Sequence, residues 1–140
     1  MRALRLPIPA GLVLLAGLLL ALAGCSSGLG RPIHEVRATP SDGIQRVEVT
    51  AHAFYFDPNR IVLKENVPVE LHIKNHSPFI PHNFSCVAPQ AGIQVDEGLG
   101  LVWDGETARF TPTAAGEYKF FCKVDGHANK GMTGVLVVVP

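Results

Sequence analysis

The sequence predicts an all-β domain folded as a two-sheet sandwich, and three observations carry that reading. Apolar and polar residues alternate over short stretches, as in Val69-Glu-Leu-His-Ile-Lys74, the period of a strand with one buried face. Between those stretches stand turn residues: Asp57-Pro58-Asn59, Asp104-Gly105 and Ala115-Gly116. No stretch carries a convincing helical period. Six to eight short strands of this kind must bury their apolar faces against a second layer.

Taken in order, residues 1–24 stand apart from the fold. Arg2 and Arg5 precede an apolar run from Gly11 to Ala23. That run falls short of the roughly 20 residues a membrane-spanning helix needs, and it reads as an export signal. It ends in Leu22-Ala23-Gly24-Cys25-Ser26-Ser27, which resembles the lipobox of bacterial lipoproteins; the alternative is an ordinary secretory signal. The resemblance implies that Cys25 is acylated and becomes the mature N-terminus. Two or more acyl chains hold a protein stably at a bilayer, since each buried methylene contributes about 0.8 kcal/mol. The expectation is an exported lipoprotein, anchored on the extracytoplasmic face of a bacterial membrane and not spanning it. Residues 25–45, rich in Gly, Pro and Ser, read as a flexible tether in which His34 is solvated.

Residues 46–140 form the expected domain. Val47–Ala51 alternates, and Phe54-Tyr-Phe56 adds an aromatic stretch before the Asp57-Pro58-Asn59 turn. Arg60–Lys64 is a short strand that ends at Glu65-Asn66, where Asn tolerates a left-handed turn. Val69–Lys74 buries Val69, Leu71 and Ile73. Further strands are expected at His82–Val87, Thr107–Phe110, Glu117–Phe121 and from Met132 or Thr133 to Val139. Without residues 1–24, ten Lys and Arg face twelve Asp and Glu, a formal charge of −2. No basic cluster occurs, so nothing points to nucleic acid.

The chemistry concentrates between Tyr118 and Thr133. Cys122, His127 and Met132 follow one another at intervals of five residues, where a strand end passes into a Gly-containing loop. Thiolate, thioether and imidazole together suit copper, and two His with one Cys and a weak axial Met form a blue-copper set. The second imidazole is expected from His82 in Pro81-His82-Asn83-Phe84. Cys86 lies four residues beyond His82, on the same face of one strand, and reads as a packed core thiol. A bridge to Cys122, which an oxidising compartment permits, is the alternative. His52 and His72 point outward on their strands, and His76 belongs to the loop before His82.

Cys122-x4-His127-x4-Met132, with the aromatic strand before it, Gly134-Val-Leu-Val-Val after it and the upstream Pro-His-Asn, resembles the cupredoxins. These are the plastocyanin- and azurin-like type 1 blue copper proteins, and the likeness spans roughly Val47 to Val139. It implies a Greek-key sandwich holding one copper ion through His82, Cys122, His127 and Met132. It also implies that Asn83 hydrogen-bonds across to the Cys-bearing loop, and that His127 is the solvent-edge ligand beside which redox partners dock. Phe79, Ile80 and Pro81 could contribute an apolar rim there.

A site filled by four protein ligands leaves no position for substrate. The expected function is therefore electron carriage by a monomer between membrane-associated partners, without enzymatic chemistry. A lipoprotein that stores copper, confers resistance or delivers the metal would use the same ligands. A binuclear centre would need a second Cys in the loop, and Lys123–Gly126 holds none.

Overall fold

The computed structural model describes residues 30–101 and 105–140; the signal, Cys25 and Asp104 of the expected turn lie outside them. Eleven strands follow in chain order: β1 (Glu35–Arg37), β2 (Pro40–Ser41), β3 (Ile44–His52), β4 (Tyr55–Asp57), β5 (Arg60–Lys64) and β6 (Val69–Asn75). Then come β7 (His82–Ala88), β8 (Ile93–Leu99), β9 (Gly105–Phe110), β10 (Gly116–Phe121) and β11 (Thr133–Val139). One sheet has the order β1-β5-β11-β10-β7-β8 and the other β2-β3-β6-β9, with β4 on the end of β3. The expected two-sheet sandwich is the fold, and helical structure among the described residues is limited to 3-10 turns at Pro89–Ala91 and Ala128–Lys130.

Side-chain alternation decides what the sheets enclose. On β3, Val47, Val49 and Ala51 turn inward, and on β6 Val69, Leu71 and Ile73 do the same. From the facing sheet come Ile61, Leu63, Phe84, Ile93, Val95, Phe120, Leu136 and Val138. At the centre Phe56, Phe84 and Phe120 pack ring against ring, with centroids 4.6–5.4 Å apart. Phe120 reaches this position because its cross-strand neighbour is Gly134; a Cβ there would lie 2.1 Å from Phe120 Cζ. The glycine thus creates the space for the aromatic core.

The N-terminal boundary needs correction. Residues 35–44, expected to belong to a tether over 25–45, are integrated into both sheets. β1 runs parallel to β5, and Ala38 lies in the core. β2 folds back on β3 through Asp42-Gly43, both with positive φ (51° and 74°). Asp-Gly is a strong two-residue hairpin signal for that reason. Gln45 is fully buried, one residue before the expected start at 46. Its amide donates to the carbonyls of Lys64 and Val67 and accepts from the Lys64 N–H, bracing the turn in which Asn66 takes φ 59°. That left-handed Asn was expected. His34 is exposed, as expected, but it is tied down: its N–H donates to Asn59 Oδ1 at 2.8 Å, and its ring contacts the Asp57 carboxylate.

Within the expected domain, β8 is the strand the sequence reading missed. Ile93, Val95 and Leu99 are buried and their neighbours face out, so the period is present. Asp96-Glu97-Gly98 hides it, because those residue types are depleted in strands.

Candidate metal centre

One end of the sandwich gathers the candidate donors. His82 opens β7, Cys122 directly follows β10, and Met132 directly precedes β11. His127 lies between the last two, in a loop that closes on itself. The Cys122 N–H donates to the Met132 carbonyl and the Met132 N–H to the His127 carbonyl, both at 3.1 Å. Gly126 and Gly131 take positive φ (73° and 96°), which lets so short a loop turn twice.

Donor atoms of His82, Cys122 and His127 lie within 4.8 Å of one another. Cys122 Sγ is 3.5 Å from His127 Nδ1, and the two imidazole centroids are 5.1 Å apart. All three residues are buried, as is the whole of Met132. His127 is the outer imidazole, at 8% exposure against 2% for His82. Burial, then the charge of His127, pushes the His82 pKa down to about 4; His127 is also lowered, by burial and by Lys130. Both rings are therefore neutral near pH 7, with lone pairs to offer.

His82 is the most informative member. Neither of its ring nitrogens has a hydrogen-bond partner among the protein groups, although both are buried. Buried polar atoms are otherwise paired, and an unpaired one costs about 1–3 kcal/mol. A metal ion at the point where the three residues converge would satisfy one of them. Thiolate and imidazole together select a soft or borderline transition metal, and the site fits a single copper ion.

Asn83 behaves as expected. Its Oδ1 accepts the Lys123 N–H at 3.2 Å, and its own N–H donates to Cys122 Sγ at 3.3 Å. The sequence reading did not find what orients Asn83. Its amide donates to Asp96 Oδ1 (3.0 Å) and to the Glu97 carbonyl (3.1 Å), while Lys123 Nζ donates to Asp96 Oδ2. Asp96 belongs to the overlooked β8, so the contact could not be read from the sequence. Asn75 braces the loop before His82 through the carbonyls of Ile80 and Gly100.

Cys86 is buried and free, and burial pushes its thiol pKa up to about 11, as a packed core thiol should show. The disulfide alternative does not form. The expected rim is rearranged: Phe79 is 83% exposed, while the ring packed edge-on against His127 is Phe54, at 5.0 Å. Lys130 Nζ lies 3.8 Å from the Phe54 ring centre. Phe54 holds φ 66°, a conformation its residue type gives no warning of. A cleft of about 220 Å³ runs from Phe54 and Lys130 to Gly30 and Arg31.

Residues 12–138 match the cupredoxin-like domain family. No curated protein matches the chain. Among solved structures, a copper binding protein in its apo form is 25% identical, with a TM-score of 0.57 over 76% of this chain and 98% of that one. Auracyanin A, a "blue" copper protein from Chloroflexus aurantiacus, is 23% identical (TM-score 0.59; 69% and 100% covered). The metal binding domain of the Streptococcus pneumoniae D39 Cu(I) exporting P-type ATPase CopA is 24% identical (TM-score 0.58; 79% and 100%). Likeness at the level of the last two shows the shared fold.

Proposed function

The chain belongs to the cupredoxin-like family, and from that premise we propose that it is a mononuclear type 1 copper protein carrying single electrons between redox partners. The observation that carries this reading is the buried, unpartnered imidazole of His82 beside Cys122 and His127. His82, His127 and the Cys122 thiolate would hold the ion, with Met132 as the weak axial donor. Bound copper supplies a one-electron couple between Cu(I) and Cu(II).

The residues around the ion do the rest. The strand ends and the closed 122–132 loop hold the donors in place, which limits their rearrangement when charge changes. The Asn83 N–H on Cys122 Sγ stabilises the thiolate, and the Asn83 amide pins the loop to β7. Phe54 and the surrounding core exclude water. With every candidate donor buried, the centre offers no open side for a substrate, which favours a carrier over an enzyme.

Electrons would enter and leave near His127, the outer imidazole, where protein redox partners would dock on a monomeric domain. The Cys25 motif supports lipid anchoring on the extracytoplasmic face. Storage, resistance or delivery of copper is the competing use of the same ligands. The closed loop and buried donors favour retention of the ion, and a delivery protein would surrender it to a partner or a mild chelator.

The test is spectroscopic. The Cu(II)-loaded protein should absorb strongly in the visible through thiolate-to-copper charge transfer, and Cys122→Ser should abolish that band with the fold retained by circular dichroism. An unaltered band in the variant removes the assignment.

A further inference from the structure

We propose that His52 and His76 form a second, shallow site for a transition-metal dication of the copper or zinc class, beside the centre at His82, Cys122 and His127. β3 and β6 run parallel with Ala51 opposite Asn75, and the His76 N–H extends the ladder by donating to the Ala51 carbonyl at 2.8 Å. Ala51 and Asn75 are buried, so the residues after them turn to the outer face of the sheet. His52 and His76 therefore stand side by side at the edge of the domain.

Their ring centroids are 5.2 Å apart, at an interplanar angle of 78°. An imidazole nitrogen sits about 2.0–2.1 Å from a bound dication, which puts each ring centre roughly 3 Å from the ion. Two such rings at a tetrahedral angle then have centres about 5 Å apart. The observed spacing satisfies that condition, and it nearly equals the 5.1 Å between His82 and His127.

Other features hold the pair ready. Tyr55 stacks on His52 with centroids 4.5 Å apart and ring planes 8° from parallel, and the Arg31 guanidinium covers the Tyr55 ring. The His52 plane is fixed by those layers. A cavity of about 280 Å³, bounded by Glu48, Thr50, His52, Lys74, Asn75 and His76, adjoins the rings and has room for the water that would complete coordination. Burial, and next the charge of His76, lowers the His52 pKa, so this ring offers a neutral nitrogen near pH 7. Glu48 places a carboxylate in the same wall, where it accepts from Lys74 Nζ at 2.6 Å. Imidazole donors favour Zn(II) and Cu(II) over the hard cations that oxygen sites select.

The proposal does not rest on the electron-carrier reading, and one experiment keeps the two apart. Copper-loaded full-length protein is titrated with Zn(II), following bound metal by equilibrium dialysis and the centre at Cys122 by its visible band. One further equivalent is expected to bind with that band unchanged. His52→Gln and His76→Gln should each weaken it tenfold or more, while His72→Gln and His34→Gln leave it in place. The proposal is overturned if no equivalent binds beyond the first site. It also fails if that equivalent survives in the His52→Gln/His76→Gln double variant, or follows His34 or His72 instead. A missing visible band condemns the carrier reading alone, because the loss of one zinc equivalent is scored without it.

Discussion

Replacing Gly134 with Ala is a small change with a large expected cost. The added Cβ would lie 2.1 Å from Phe120 Cζ, 2.5 Å from Phe120 Cε2 and 2.5 Å from the Asn59 carbonyl oxygen. None of these can yield easily. Phe120 is fully buried and stacked on Phe84 at 4.6 Å, with Phe56 at 5.4 Å. The Asn59 carbonyl is backbone and accepts the Val135 N–H at 2.9 Å. Overpacking a core costs about 1–3 kcal/mol, and two rigid neighbours put this case at the upper end, about 3 kcal/mol. For a domain of this size each kcal/mol lowers the melting temperature by about 4–8 °C. Gly134→Ala should therefore melt roughly 12–24 °C below the parent, read by calorimetry or circular dichroism on the metal-free protein. Gly98→Ala is the control, since its Cβ meets nothing within 4 Å. If Gly134→Ala melts alongside Gly98→Ala, the aromatic core does not depend on this gap.

The metal-free protein should lose stability in mild acid because of His82. Unfolded, its imidazole takes a proton below about 6.5; folded, only below about 4. A lowered folded-state value means full stability above pH 6.5 and progressive loss as pH falls toward 4, up to about 3 kcal/mol. Urea midpoints at pH 7.5 and 4.5 measure it, and a His82→Gln variant that loses as much as the parent assigns the acid sensitivity elsewhere. Cys25→Ser should move the protein from the membrane to the soluble fraction of cells expressing it; continued membrane retention contradicts the lipid anchor.

The candidate donors were legible because the chemistry lies in the residue types, and the structure brings three of them, His82, Cys122 and His127, together. A thiol, an imidazole and a thioether at equal intervals in one loop have few other uses; such a set calls for a second imidazole, which pointed to His82, and Asn83 followed from the resemblance. β3 and β6 were equally plain, since Val47, Val49 and Ala51 on one and Val69, Leu71 and Ile73 on the other alternate with polar residues, and only Gln45 and Asn75 at the strand ends break the apolar set. The sequence was mute where tertiary contacts overrode local preference. β8 carries Asp96-Glu97-Gly98 because Asp96 serves Asn83 and Lys123, so the residues that support the site are the ones that disguised the strand. The arm from Glu35 to Ile44 was lost for a related reason. Its short strands gain their order from β5 and β3 and have little apolar period of their own. Phe54 could not be foreseen beside His127, because its left-handed backbone sets where the ring goes.

The residues just before that arm fix where the chain leaves the domain. Gly30 shares a cleft with Phe54 and Lys130, and Asn59 clasps Pro32 and His34 just beyond it. Five peptide steps separate Gly30 from Cys25, a leash of at most about 18 Å. Whatever Cys25 is fastened to stays within that reach of Gly30, on the side of the domain where Phe54 packs against His127. On the proposal that Cys25 bears acyl chains and that electrons pass near His127, the lipid surface and the electron port share one side of the molecule. A partner embedded in that bilayer would need no long excursion to meet it.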